Sequence, residues 1–113
     1  KTIAETPHYQ SYLGLANAFR VRNARFLRGA TYRSTILHHR DNDELDSAGY
    51  IARDGSIVIM ATQSHLDNAT AHITVPNAKF IACDAIGDAT RNADGTVRIG
   101  RHGLILLAFQ PLP

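Results

Sequence analysis

The spacing of apolar residues along the chain changes at Gly29. Over positions 8–23, apolar residues recur at intervals of three and four, which predicts a helix with one apolar face. The residues of that face are Tyr9, Tyr12, Leu13, Ala16 and Phe19. Beyond Gly29, apolar and polar side chains alternate, and a period of two predicts strands. The pattern therefore divides the chain into a helix and junction over residues 1–29 and a β region over residues 30–113.

The β region divides into about seven short strands separated by turn residues. The predicted strands span residues 31–39, 48–53, 56–62, 70–75, 79–86, 96–100 and 103–110. Asp54-Gly55 is a strong hairpin signal, and the nearly all-apolar strand at 56–62 is expected to be central, with both faces covered. No helix pattern separates the strands, so parallel βαβ units are excluded and an antiparallel sandwich or open barrel remains. We predict a mainly-β fold: one antiparallel β-sandwich of about seven strands preceded by one N-terminal helix.

The size and composition suit a single domain with one core. The chain has 113 residues, of which 44% are hydrophobic and 19% are charged. Its longest apolar run, residues 104–109, is far shorter than the roughly 20 residues that span a bilayer, so no membrane contact is predicted. A single cysteine, Cys83, excludes an internal disulfide, and its apolar neighbours predict a buried, inert thiol. Cysteine usage leaves the compartment undetermined.

Residues that could support catalysis or bind a metal form no recognisable set in the sequence. His38 and His39 are adjacent in a predicted strand and so point to opposite faces, and the histidines are expected to be ordinary surface or rim residues. The acidic residues of the segment 41–46 lack the pattern of a calcium loop and predict a solvated loop, with an isolated calcium site as the alternative. Ser64-His65 and Asp67 are too close in sequence to favour triad geometry. We predict no catalytic residue, no metal and no cofactor.

The basic residues are unevenly distributed, because six of the twelve lie within residues 20–40. The cluster Arg20–Arg33 is interleaved with Phe19, Phe26 and Tyr32, and phosphate contact together with base stacking could form a nucleic-acid surface. The simpler interpretation is the solvent face of a helix and its following turn. A small basic module that contacts nucleic acid therefore remains the alternative function.

Three segments carry a resemblance to a known family. The segment 13–37 is similar to the junction that ends the barrel in many glycoside hydrolases, and within it Phe26-Leu27-Arg28-Gly29 matches the exit from the last helix. Residues 54–64 resemble a strand of the sandwich that follows the barrel, and residues 80–109 resemble its closing hairpins. Over nearly its whole length the chain thus resembles the C-terminal β-sandwich domain of a TIM-barrel glycoside hydrolase, of the alpha-amylase or alpha-galactosidase-like kind.

This resemblance implies a non-catalytic module of a carbohydrate-active enzyme. The family's catalytic carboxylates lie in the barrel, so no catalytic residue is carried over, and the catalytic barrel domain of a parent hydrolase is the implied partner. The residues expected at the interface to that missing domain are Arg20, Arg22, Arg25 and Arg28. If the module contacts carbohydrate, Tyr32 and Tyr50 are the candidates for stacking on sugar rings, since the chain has no tryptophan. The sugar and the linkage remain open.

Overall fold

The computed structural model describes residues 16–33, 38–63 and 66–113. Residues 16–22 are helical (α1), and a second short helix, α2, covers Ala24–Leu27. The strands in this part of the chain are β1 (Thr31–Arg33), β2 (His39–Arg40), β3 (Asp46–Ile51), β4 (Ile57–Thr62), β5 (Asn68–Thr74), β6 (Ala78–Ile86), β7 (Ala89–Arg91), β8 (Thr96–Gly100) and β9 (Leu104–Pro111). They form a five-stranded sheet in the order β1-β3-β4-β9-β6 and a four-stranded sheet in the order β2-β5-β8-β7. Every pairing is antiparallel, which confirms the predicted mainly-β antiparallel sandwich.

The main core lies between the two sheets, where alternate residues of each strand point inward. In β5, Ala71 and Ile73 are buried while Thr70 and Thr74 are exposed, as the alternation predicted. Strand β8 of the same sheet contributes Val97 and Ile99, and the facing sheet contributes Ile59, Ile105 and Leu107, all essentially inaccessible to water. Each such side chain stabilises the fold by about 1.5–3 kcal/mol through loss of contact with water.

A second core covers the opposite, outer face of the five-stranded sheet. Phe19 of α1 and Phe26 of α2 pack there against Val58 of β4 and Leu106 of β9. Strand β4 is therefore apolar on both sides, because Ile59 points into the sandwich and Val58 points toward the helices. This confirms the prediction that the segment 56–62 forms a central strand with both faces covered.

Two strand predictions differ from the structure. The predicted strand at 31–39 consists of β1, which pairs with β3, and β2, which pairs with β5 in the other sheet. Residues 34–37, which connect them, lie outside the described residues. Strand β7 was not predicted, because three residues are too few to display a period.

The predicted helix over residues 8–23 is described only from residue 16, and its expected apolar residues Tyr9, Tyr12 and Leu13 lie outside the described residues. The helical geometry is interrupted at Asn23, after which α2 continues to Leu27. Gly29 then has a φ of +70°, a conformation that glycine adopts without strain and that redirects the chain into β1. The predicted change from helix to strand at this glycine is confirmed.

Two predictions about single side chains were wrong. Cys83 is exposed, because β6 is an edge strand of the five-stranded sheet and its side chain there is open to solvent. His38, expected on the surface or rim, is only 4% exposed, whereas its neighbour His39 is exposed. Adjacent residues at the start of a strand point in opposite directions, and His38 is the one that points inward.

Candidate functional site

The fold brings the two tyrosines proposed for sugar contact together. Tyr32 of β1 is the register partner of Tyr50 of β3, and their ring centroids are 5.8 Å apart with the planes at 73°. Tyr50 in turn pairs with Val58, so both rings lie on the face of the sheet that carries the helices. Tyr50 is half-buried, whereas Tyr32 is 61% exposed. The pair therefore presents one aromatic ring to solvent, supported edge to face by a second.

An apolar groove adjoins this pair on the same face of the sheet. It has a volume of about 440 Å³ and is lined by Tyr50 together with Phe19, Leu27, Met60 and Leu104, among others. Arg20 is the charged residue in its lining. Tyr50 thus lines this groove together with residues of α1, and one side of its ring packs against the outer core.

Arg22 is committed to an ion pair within the chain. Its Nε and Nη2 donate to the two carboxylate oxygens of Asp84 on β6, with the Nη2–Oδ1 distance at 3.0 Å, and Nη2 also donates to the carbonyl of Ala85 at 3.2 Å. Asn23, which is buried, donates from Nδ2 to Asp84 Oδ2 at 2.7 Å. The hydrogen bonds from Arg22 lower the pKa of Asp84, and Asn23 adds to the effect against the opposing cost of burial. These contacts fasten the end of α1 to the edge of the sheet.

The remaining arginines of the predicted interface differ in their partners. Arg25 Nε lies 3.0 Å from Asp54 Oδ2, and the guanidinium stacks over the ring of Phe26 at 4.7 Å. Arg20 donates from Nη2 to Asn17 Oδ1 at 2.9 Å. Within the described part of the chain, neither Arg20 nor Arg28 forms an ion pair with a carboxylate. The sequence analysis took the four arginines as one group, whereas among the described residues two of them pair with a carboxylate and two do not.

Arg20 and Arg28 lie at the two ends of a face that is otherwise apolar, which we call the helical face (Arg20, Val21, Ala24, Leu27 and Arg28). These five residues line a shallow groove of about 420 Å³. Val21 is 77% exposed, the most exposed of the large apolar residues in the described part of the chain. The helical face is thus an apolar strip with a positive charge at each end.

Among the described residues, a contact of catalytic type occurs between His38 and Ser47 of β3. His38 Nε2 lies 2.7 Å from Ser47 Oγ, the contact of a base with a hydroxyl nucleophile. The other ring nitrogen, Nδ1, is buried and has no partner among the described residues, so the orienting acid of a triad is lacking there. Burial lowers the pKa of His38, with smaller contributions from Arg40 and His39. Sequence reasoning missed this pair because the two residues are in neighbouring segments with no motif around either.

Side chains of the acidic segment 41–46 form hydrogen bonds with the backbone of β5. Asp41 Oδ1 accepts the backbone N–H of His72 at 2.8 Å, and Glu44 Oε1 accepts that of Thr70 at 3.1 Å. Asn42 Nδ2 donates to the Thr70 carbonyl at 2.9 Å. These side chains occupy hydrogen-bonding positions along β5 that a further strand would otherwise use, and so protect that edge of the sheet.

The described ranges 16–33, 38–63 and 66–113 were also searched for metal sites, for the Ser64-His65-Asp67 set and for membrane-spanning helices. There, no group of three or more His, Cys, Asp or Glu side chains is arranged to hold a metal ion. Ser64 and His65 lie outside the described residues, while Asp67 pairs with Arg101 at 2.6 Å. No helix in the described part is long and apolar enough to cross a membrane.

No family model, curated protein or solved structure matches the chain.

Proposed function

We propose that this chain is a non-catalytic C-terminal β-sandwich module of a carbohydrate-active enzyme, which packs on the catalytic barrel of a parent glycoside hydrolase and contacts carbohydrate. The observation that carries the carbohydrate contact is the exposed ring of Tyr32, held against Tyr50 at 5.8 Å. The hydrolase origin is supported by the resemblance of the helix-to-strand junction and of the closing hairpins.

An exposed aromatic ring that a neighbouring ring supports is a suitable platform for a sugar. One face of a pyranose ring consists largely of C–H groups, which pack on an aromatic face while the hydroxyls stay in water. Tyr50 restricts the ring of Tyr32, so less side-chain entropy is lost when a ligand binds. With a single exposed ring, we expect a dissociation constant on the order of 1 mM.

The carboxylates of the described residues support a non-catalytic role. Glycoside hydrolysis requires two carboxylic groups on either side of the scissile bond, one of them an acid with a raised pKa. The aspartates with perturbed pKa values are shifted the other way: hydrogen bonds from arginines lower the pKa of Asp84 and Asp88, and hydrogen bonds from Ser56 and Thr96 lower the pKa of Asp54 and Asp94. These groups are ionised structural anchors.

Affinity gel electrophoresis with soluble starch, galactomannan and xylan tests the proposal. We expect at least one polysaccharide to retard the protein, and Tyr32→Ala to abolish the retardation because it removes the exposed ring. Leu112→Ala is the matched control, since it truncates another exposed large side chain, 55% accessible. Free migration of the wild type in all three gels would refute carbohydrate contact, and unchanged retardation of Tyr32→Ala would place the contact elsewhere.

A further inference from the structure

The helical face has the composition of a protein-binding surface. Its centre is formed by Val21, Ala24 and Leu27, and Val21 is 77% exposed. Its two ends carry Arg20 and Arg28. Protein interfaces commonly combine an apolar centre with a polar rim, and arginine is enriched in them.

Among the described residues, the charges at the two ends have no carboxylate partner. Arg22 and Arg25, on the same helical segment, are neutralised by Asp84 and Asp54 of this chain. Arg20 has the side-chain oxygen of Asn17 as its hydrogen-bond acceptor, and among the described residues Arg28 contacts no carboxylate. A guanidinium binds a carboxylate through two parallel hydrogen bonds, so two such groups favour an acidic partner.

We propose that the helical face binds a protein surface with an apolar centre flanked by carboxylates. Both arginines line the same groove as Val21, Ala24 and Leu27, so the partner's carboxylates are expected to border its apolar centre. This proposal rests on the proposed function in one respect, which is that the chain is one module of a larger protein. The neighbouring domain of that protein is the partner that binds the helical face. The proposal does not depend on the sugar contact at Tyr32.

A protein partner is favoured over nucleic acid by the position of the aromatic rings. Binding of single-stranded nucleic acid through the basic cluster would use exposed rings for base stacking. Phe19 is 2% exposed and Phe26 is 6% exposed, so both rings are occupied in the outer core. The ring of Tyr32 is exposed, but Tyr32 is not among the residues that line the helical face. What lies between Arg20 and Arg28 is aliphatic, which suits apolar side chains of a protein.

The test uses a fluorescein-labelled amphipathic helical peptide with leucine and alanine on one face, flanked by glutamates. A second peptide has every glutamate replaced by lysine. Fluorescence anisotropy with the full chain is expected to show binding of the acidic peptide and not of the basic one. The double variant R20E/R28E is expected to weaken binding at least about tenfold, because attraction becomes repulsion. V21D is expected to weaken it comparably, with thermal unfolding measured to show that the variant is folded.

The control K79E/R101E reverses two charges at exposed positions outside the helical face, and is expected to leave binding unchanged. Equal binding of the acidic and basic peptides, or an equal loss in the control variant, would overturn the proposal. So would stronger binding of a mixed-sequence oligonucleotide that falls steeply with salt. Tyr32→Ala is expected to bind the acidic peptide normally, so failure of the sugar assay and failure of this one are distinguishable.

Discussion

Replacing Phe19 by alanine tests whether the helices and the sandwich unfold as one unit. Phe19 is 2% exposed and belongs to the outer core with Val58 and Leu106. Truncating a buried phenylalanine to alanine costs about 3–5 kcal/mol, from lost transfer free energy and the cavity that remains. The higher helix propensity of alanine offsets this loss in the free energy of unfolding by only about a few tenths of a kcal/mol. In a domain of this size such a loss lowers Tm by on the order of 10–20 °C.

The assay is urea unfolding followed by the strand signal in far-ultraviolet circular dichroism, so that the sandwich itself is observed. Val21→Ala is the matched control on the same helix, since Val21 is 77% exposed and its truncation is expected to change stability by less than about 0.5 kcal/mol. If Phe19→Ala leaves the unfolding midpoint of the sandwich unchanged, the helical segment is not part of its cooperative unit and the reasoning from the outer core is refuted.

Two further predictions concern His38 and Cys83. The pKa of His38 is lowered from 6.5 in the folded state, so the unfolded state binds the proton more readily. The contribution of the neutral His38 to the free energy of unfolding is therefore fully present above pH 6.5 and is lost as the pH falls below that value. Urea unfolding between pH 7 and 5 is expected to show this decline in the wild type and in the exposed control His39→Gln. The decline is expected to be smaller in His38→Gln, and an equal change in the free energy of unfolding with pH in all three proteins would contradict the prediction. The exposed Cys83 thiol is expected to react fully with Ellman's reagent without denaturant, whereas reaction only after unfolding would contradict its position on the open edge.

Much of the fold could be predicted because it depends on local patterns. The alternation of Ala71 and Ile73 with Thr70 and Thr74 predicted which side of β5 is buried, since a strand has two sides and apolar residues line the inner one. The uninterrupted apolar run of β4 predicted a strand covered on both faces for the same reason. Gly29 marked the end of the helical segment because few other residues adopt its left-handed conformation without strain.

The candidate site was predicted only in part. The sequence suggested Tyr32 and Tyr50 as separate aromatic residues, and their contact depends on the register between β1 and β3, which no local pattern encodes. The exposure of Cys83 was missed because an apolar neighbourhood in sequence does not reveal that the strand is at an edge. His38 and Ser47 meet because the start of β2 lies near β3, a long-range arrangement of the same kind.

By itself the sequence determined the class of most segments and, for strands such as β4 and β5, the faces that are buried, since both follow from the spacing of side chains along a single helix or strand. Tertiary structure alone decided which sheet each strand joins, and which charges find a partner. Arg22 and Arg28 are equivalent in the sequence, yet Arg22 reaches Asp84, which is 62 positions away, while Arg28 remains on the helical face. The physical reason is that an ion pair requires two groups within hydrogen-bond distance, and only the packing of the helices on the sheet determines those distances.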